Sequence, residues 1–166
     1  MCACASALET DRPGAASWTG FARARTLDRM SEVRVTGVLP EFLVPDVAAT
    51  VAHYRDVLGF RPCSAYGDPP CFAIVDRAPG LGLHFKLVEG HPPTSNRAAD
   101  PHAWDVYFEV EGVDVLAAEL QASGAKVLRG PEVAPYGTKE LEVEDLHGYV
   151  LCFGEDVGDP GDDQPA

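Results

Sequence analysis

One succession of secondary-structure signals occurs twice in this chain, and it constrains the fold more than any other feature does. In the first copy, residues 35–44 are rich in β-branched side chains and predict a strand. Asp46 then begins a run whose apolar residues recur at helical spacing as far as Gly59, where a glycine ends the helix. Three more strand segments follow, the last of them the alternating residues 81–88. The first copy therefore predicts a βαβββ module over residues 35–88.

The second copy repeats this order after a polar linker that is rich in Pro and Asn. Residues 104–110 alternate like a strand, Asp114 opens a helix and caps it, and Gly124 ends that helix. Further strand segments complete a second module over residues 103–155. One module alone would leave a face of its sheet bare, whereas two modules can place their sheets side by side. We therefore predict an α+β fold in which the two modules form a curled mixed-sheet cup with the helices on the outside.

The two ends of the chain lack such periodicity. Residues 1–33 predict a disordered extension, and the acidic, Pro- and Gly-rich residues 157–166 predict a disordered tail, so that the domain spans residues 34–156. The pattern leaves open whether translation starts at Met1 or at Met30. Neither a membrane-spanning run nor an export signal is evident, and the five cysteines do not form a disulfide framework. We therefore predict a cytoplasmic protein that does not associate with membranes.

The charge balance limits the classes of binding partner. With a formal net charge of −13, the chain lacks the excess of Lys and Arg that a nucleic-acid surface needs to displace counterions. The charge therefore argues against binding DNA or RNA, and it favours cationic small ligands over anionic ones. A solvated acidic surface that keeps the protein soluble explains the same charge without any ligand.

Three segments carry a resemblance to a known family. They read VLPEFLVPDVAATVAHYRDVLGF, WDVYFEVEGVDVLAAELQASGAKV and EDLHGYVLCFGED. Over about residues 35–155 the chain resembles the glyoxalase / bleomycin resistance / extradiol dioxygenase superfamily, also called the vicinal oxygen chelate superfamily. Members with metal centres hold a divalent ion with His, Gln or Glu side chains from strand positions that face the cup.

The resemblance places this chain nearest to the metal-free bleomycin resistance branch. The family's ligand positions correspond here to Leu39, Gly82, Asp105 and Cys152, and the first two have no side-chain donor for a metal. The resemblance therefore implies a binding protein with no metal, no cofactor and no catalytic residue. It also implies a homodimer, because members of that branch hold a drug in the clefts of a dimer.

Strand alternation sorts the residues that face the predicted cup from those that face the helices. If Asp105 faces the cup, then Tyr107 and Glu109 do so too, and the same rule selects alternate residues of the other strands. Cys152 also has a simpler interpretation as a small buried filler. Trp104 alternates onto the face opposite Asp105, which predicts packing rather than ligand contact. The predicted ligand-binding residues are Leu39, Glu41, His84, Lys86, Asp105, Tyr107, Glu109, Tyr136 and Cys152.

The residues leave two functions open. The first is a metal-free protein that binds a small, planar and cationic molecule, with sequestration of a bleomycin-like antibiotic as its specific form. The alternative is a metal-dependent lyase, isomerase or dioxygenase of the same superfamily that uses a displaced ligand set. Glu41 and His84, each two residues beyond a family ligand position, would join Asp105 and Cys152 in that set. A shift of two residues moves a ligand about 6.6 Å along its strand, so the usual metal position could not simply be reused.

Overall fold

The computed structural model describes residues 36–90 and 92–158, and it contains the two modules in succession. The predicted disordered extension, residues 1–33, and residues 159–166 of the predicted tail lie outside the described residues. No helix in the described part of the chain is long and apolar enough to cross a membrane.

The first module is a four-stranded sheet with one helix packed on it. Its elements are β1 (Glu41–Val44), α1 (Val47–Asp56), β2 (Arg61–Gly67), β3 (Pro70–Ala78) and β4 (Leu81–Leu87). The strand order is β1-β4-β3-β2, and the sheet is mixed because β1 runs parallel to β4 while the other neighbours are antiparallel. Asp46 accepts a hydrogen bond from the Ala49 N–H (2.9 Å) and caps α1, as the sequence predicts.

The second module repeats this topology. Its elements are β5 (Val106–Glu109), α2 (Val113–Ala122), β6 (Lys126–Val133), β7 (Thr138–Glu144) and β8 (Val150–Asp156). The strand order is β5-β8-β7-β6, and β5 runs parallel to β8 just as β1 runs parallel to β4. The α+β class and the pair of mixed βαβββ modules are therefore confirmed.

The start of α2 differs from the prediction. The N-cap is Gly112, in the left-handed region at φ 82°, and Asp114 lies inside the first turn, where it pairs with Lys139 instead of capping the helix. The side chain that caps α2 is Glu155 of β8. Its carboxylate accepts hydrogen bonds from the N–H groups of Gly112 (2.8 Å) and Val113 (3.0 Å). These bonds hold the pKa of Glu155 below its usual value.

Both modules contribute to one hydrophobic core. On β1, Phe42 and Val44 are buried while the residues between and before them are exposed, which is the alternation that the sequence predicts. The core continues from one module into the other where the ring of Phe60 meets that of Phe108, with 5.9 Å between centroids. Each sheet thus has one face covered by its helix and the core, and one opposite face, which we call its open face.

A buried carboxylate also joins the modules, at the turn between β7 and β8. Asp145 accepts hydrogen bonds through Oδ1 from the backbone N–H groups of His147 (2.8 Å) and Tyr149 (2.9 Å). Its Oδ2 accepts a hydrogen bond from the hydroxyl of Tyr54, a fully buried residue of α1 (3.0 Å). Burial raises the pKa of the Asp145 carboxyl, although the hydrogen bonds that it accepts act in the opposite direction. Tyr149 in turn stacks on Phe42 of β1, with 4.3 Å between ring centroids.

Candidate ligand-binding site

The open face of the second sheet carries two buried carboxylates. Along β7, Leu141 and Val143 enter the core, so Glu140 and Glu142 point to the open face. The side chains of these glutamates are only 1% and 5% exposed. A buried charge is stable only when it is paired, so this face must supply cations to the glutamates.

The first of these cations is Arg129 on β6, the register partner of Glu142. Its Nε and Nη2 donate to Glu142 Oε1 (3.0 and 2.8 Å), and Nη2 also donates to Glu140 (2.8 Å). Nη1 reaches the more exposed Glu132 (2.7 Å). Burial disfavours the charged guanidinium, yet these hydrogen bonds outweigh it and hold the pKa of Arg129 above its usual value. Arg129 is therefore a fixed part of the sheet surface.

The second cation, Arg97, comes from the connector between the modules, residues 92–105. Its Nη2 donates to Glu142 Oε2 (2.5 Å), and its Nε donates to the carbonyl of Ala103 within the connector (3.2 Å). Burial works to raise the pKa of Glu142, but the hydrogen bonds from Arg97 and Arg129 prevail and lower it. Glu142 is therefore ionised at neutral pH.

Asp105 fastens the connector to the second sheet. Its Oδ2 accepts hydrogen bonds from the Ser95 hydroxyl (2.6 Å) and the Val150 N–H (2.7 Å), and its Oδ1 accepts one from the Asn96 N–H (2.8 Å). The Asn96 side chain donates to the carbonyl of Trp104 (3.1 Å) and closes the loop. Both carboxylate oxygens of Asp105 are thus engaged in holding the connector across the sheet.

The docked connector and the open face enclose a cleft of about 480 Å³. Small-molecule sites are concave and of this size, with aromatic walls and a few fixed polar groups. Trp104 and Tyr136 supply the aromatic surfaces, and the Tyr136 hydroxyl donates to Glu140 (2.6 Å). The polar surfaces come from Arg97, His102, Arg129 and Glu142.

Trp104 lines this cleft, whereas the sequence predicts that it packs away from ligand. The alternation rule fails here because β5 begins only at Val106, so Trp104 and Asp105 belong to the connector. The ring centroid of Trp104 lies 5.5 Å from that of Tyr107. Trp104 is therefore the aromatic residue that joins the connector to the sheet surface.

Two predicted site residues, Tyr107 and Cys152, lie low on the sheet. Tyr107 rests across Gly154, where even a Cβ atom would collide with its hydroxyl. Burial raises the pKa of Tyr107 to about 12. Cys152 is fully buried, and burial together with the charges of Glu140 and Glu142 raises the pKa of its thiol to about 12. The thiol is therefore protonated at neutral pH and is not poised as a nucleophile.

The remaining predicted residues are distributed over other surfaces. Glu41 and His84 are register partners on the open face of the first sheet, and Lys86 follows on the same face. Leu39 precedes β1, and Glu109 is exposed at the end of β5. Of the nine predicted ligand-binding residues, Tyr136 lines the cleft. Asp105 and Cys152 lie next to residues of the cleft, since Asp105 binds the connector and Cys152 is the register partner of Glu142. A ligand role for the others stays a prediction.

The residues at the family's metal positions do not fit a metal ion. Leu39 offers no donor, and Gly82 lies so close to Val75 that a Cβ atom would overlap its carbonyl oxygen, so no side chain can stand there. Asp105 already accepts three hydrogen bonds, and the Cys152 thiol is protonated. Among residues 36–90 and 92–158, no three His, Cys, Asp or Glu side chains are grouped to hold an ion.

The sequence analysis does not predict the charged groups of the cleft, Arg97, Arg129 and Glu142, or the buried Glu140 that pairs with Arg129. One signal was available, because the β7 segment TKELEVE alternates acidic and apolar residues and so predicts a row of carboxylates on one sheet face. No such signal exists for Arg97, whose partner lies 45 residues away along the chain.

Comparisons with known proteins agree with this architecture. The model of the Glyoxalase/Bleomycin resistance protein/Dioxygenase superfamily matches residues 35–153. The crystal structure of TioX from Micromonospora sp. ML1 is 22% identical, with a TM-score of 0.59 over 74% of this chain and 99% of that one. A glyoxalase-related enzyme from Clostridium phytofermentans is 19% identical, with a TM-score of 0.59 over 77% of this chain and 100% of that one. A search of curated proteins found no match. At such identities the solved structures show a shared fold.

Proposed function

The chain belongs to the Glyoxalase/Bleomycin resistance protein/Dioxygenase superfamily, and from this premise we propose that it is a metal-free protein that binds a planar, cationic small molecule. The binding site is the cleft between the connector and the second sheet. The observation that carries the proposal is the pairing of aromatic walls with an ion-paired floor in that cleft. Sequestration of a bleomycin-like antibiotic is the specific form of this proposal that the family suggests.

The aromatic walls favour flat ligands. Trp104 and Tyr136 both line the cleft, and Tyr136 is 63% exposed, so its ring is accessible. Planar rings stack on such side chains, and an indole attracts a cation over its face by roughly 0.5–2 kcal/mol. A flat cation therefore gains from both walls, whereas a flat anion gains from stacking alone.

The charge of the domain favours cations as well. Residues 36–158 hold 19 of the 26 acidic residues but only 8 of the 13 basic ones. The acidic excess therefore belongs to the domain that carries the cleft and not to the chain ends. Such a field raises the local concentration of cations and repels anions, and salt screens it.

Three probes of equal shape test the preference: 2-naphthamidine, 2-naphthamide and 2-naphthoate, which are cationic, neutral and anionic. We expect titration calorimetry to rank their affinities in that order, with the amidine losing affinity as salt rises. Trp104→Ala should weaken binding of the amidine about tenfold, because loss of a stacking partner and its cation–π attraction is worth about 1–2 kcal/mol. Tyr66→Ala, which removes an exposed aromatic from the first sheet, is the matched control and should leave the affinity unchanged.

Two results would contradict this proposal. Tighter binding of 2-naphthoate than of 2-naphthamidine would reverse the predicted charge of the ligand. Elemental analysis that finds one tightly bound Ni, Zn, Fe or Mn ion per chain, lost in Glu41→Ala or His84→Ala, would favour the metal-dependent alternative, since those two residues are register partners on the first sheet.

We also propose a two-fold homodimer, the commonest closed arrangement of identical chains. The open face of the first sheet exposes Leu43 (44%) and Tyr66 (56%), and apolar side chains on an uncovered sheet favour association. Sedimentation at micromolar concentration should show twice the 17.7 kDa chain mass, and Leu43→Glu should shift the protein toward the monomer. Val115→Glu on the exposed side of α2 is the control. A wild-type protein that sediments only as the monomer would refute the dimer.

A further inference from the structure

Glu142 binds two arginines that differ in how firmly they are held. Arg129 extends from β6, and all three of its guanidinium nitrogens donate to glutamates of the sheet. Arg97 extends from the short helical turn Asn96–Ala98 of the connector and reaches the sheet through one ion pair, with Glu142. Its other side-chain hydrogen bond, to the carbonyl of Ala103, lies within the connector itself. When Arg97 leaves the carboxylate, the pair with Glu142 is therefore the one hydrogen bond from its side chain to the sheet that breaks.

The two oxygens of Glu142 are divided between these arginines. Oε1 accepts the hydrogen bonds of Arg129, and Oε2 accepts that of Arg97. The side chain of Arg97 is 26% exposed and lines the cleft, whereas that of Glu142 is 5% exposed. Arg97 and Glu142 both line the cleft, and Oε2 is the glutamate oxygen that accepts the hydrogen bond of Arg97 there. If Arg97 swings away, a buried and ionised oxygen faces the cleft without a partner, which is strongly unfavourable.

We infer that Glu142 Oε2 is the cation subsite of the cleft, that Arg97 fills it in the free protein, and that the amidinium or guanidinium group of a flat ligand displaces Arg97 from it. This inference rests on the proposed function and specifies which cations the cleft selects. Planar forked cations suit the subsite because they reproduce the donor geometry of the side chain that they replace. The aromatic walls of Trp104 and Tyr136 then bind the ring that carries the cation.

The consequence is that Arg97 competes with the ligand. The amidine must break the ion pair between Arg97 and Glu142 before it can form its own ion pair with Glu142. The free energy needed to break the first pair lowers the affinity of the wild-type protein for the amidine. Removing the guanidinium removes the competitor and leaves the buried oxygen in need of a cation. A residue that lines the site therefore opposes binding of the cation, which is the reverse of what an ordinary contact residue does.

Arg97→Gln tests the competition in titrations with 2-naphthamidine and its neutral isostere 2-naphthamide. We expect the variant to bind the amidine about tenfold more tightly than the wild type, because the free energy of a hydrogen bond between charged groups corresponds to at least a tenfold change in affinity. Affinity for the amide should change less than twofold. Arg77→Gln is the matched control, because Arg77 has a similarly exposed side chain (28%) paired to Glu119 outside the cleft. That variant should match the wild type with both probes.

A second variant keeps the test independent of the first. Glu142→Gln, checked for folding by circular dichroism, should reduce the preference for the amidine over the amide about tenfold, while both probes still stack on Trp104 and the amidine keeps its attraction to the aromatic walls. If the wild type binds the amidine but Arg97→Gln binds it equally or more weakly, Arg97 is a ligand contact and the inference is wrong. If neither protein binds any of the naphthyl probes, the proposed function is overturned and the inference with it.

Discussion

Asp145→Ala is expected to lower the free energy of unfolding by about 3 kcal/mol, because it leaves three hydrogen-bond donors without an acceptor in a buried site. Two of these donors are the backbone N–H groups of His147 and Tyr149, and the third is the hydroxyl of Tyr54. Tyr54 is fully buried, so water cannot replace the lost acceptor. Since Tyr54 and Asp145 are 91 residues apart and belong to different modules, the variant weakens the attachment of one module to the other.

Urea unfolding followed by circular dichroism measures this loss of free energy. Two milder variants separate the contributions of the individual hydrogen bonds. Tyr54→Phe removes only the hydroxyl and should lower the free energy of unfolding by about 1–2 kcal/mol. Asp145→Asn keeps an oxygen acceptor and should fall between Tyr54→Phe and Asp145→Ala. A free energy of unfolding for Asp145→Ala within about 0.5 kcal/mol of the wild type, the range of ordinary surface substitutions, would show that the modules do not depend on this carboxylate.

The same residue gives the stability a defined pH dependence. Burial raises the pKa of Asp145 in the folded protein, so folding favours its protonated form. Its contribution to stability is then complete at low pH and is lost as the pH rises through the folded-state pKa. Relative to Asp145→Asn, the wild type should therefore gain free energy of unfolding as the pH falls from 7 to 4. An unchanged difference between the two proteins across that range would contradict the raised pKa.

Asp105→Ala is expected to detach the connector and to abolish most of the binding in the cleft. The substitution removes all three hydrogen bonds that hold Ser95, Asn96 and the start of β8 together. Trp104 precedes Asp105 directly, so the aromatic wall loses its position with the connector. We expect affinity for 2-naphthamidine to fall about tenfold, as in Trp104→Ala, because the stacking and cation–π contacts of the displaced wall are lost.

Limited trypsin digestion supplies a measurement that does not depend on the ligand. Cleavage after Arg97 should become faster in Asp105→Ala, because the connector must leave the sheet to enter a protease. Cleavage after Arg55, in the exposed side of α1, should keep its wild-type rate. Glu111→Ala, at an exposed acidic residue beyond the end of β5 that does not line the cleft, is the matched control. Equal digestion and equal affinity in Asp105→Ala and Glu111→Ala would mean that Asp105 does not position the wall.

The sequence predicted the modules well because their signals are local. The alternation of β1 and the apolar spacing of α1 each arise within a few residues, and both survive in the structure as the buried Phe42, Val44, Val47 and Tyr54. Twofold repetition then restricted the topology, since a pattern that occurs twice is difficult to produce by chance. The fold could therefore be predicted without any knowledge of the contacts between the modules.

The cleft could not be predicted in the same way, because it depends on contacts between distant residues. Arg97 lies in a segment without helical or strand periodicity, so nothing in the sequence predicts its pairing with Glu142. Asp105 follows the alternation of a strand in the sequence, and only its hydrogen bonds show that it belongs to the connector. The prediction that Trp104 packs away from ligand is wrong for a related reason. It applies the alternation of side chains along a strand to a residue that precedes the strand. The cap of α2 could not be predicted for the same reason, because Glu155 lies on β8 and the residues next to the helix in the sequence do not indicate it.

The backbone contact at Gly82 has a consequence for how a chain like this can change in descent. The carbonyl of Val75 occupies the place where a side chain at position 82 would begin. A single codon change there cannot introduce a ligand, because β3 and β4 would first have to move apart and break their pairing. Gain of a side-chain metal ligand at position 82 would therefore require a changed pairing of β3 with β4. The connector carries no such backbone constraint at Trp104 and His102, so substitutions there would alter the lining of the cleft and leave the strand pairing of both sheets unchanged.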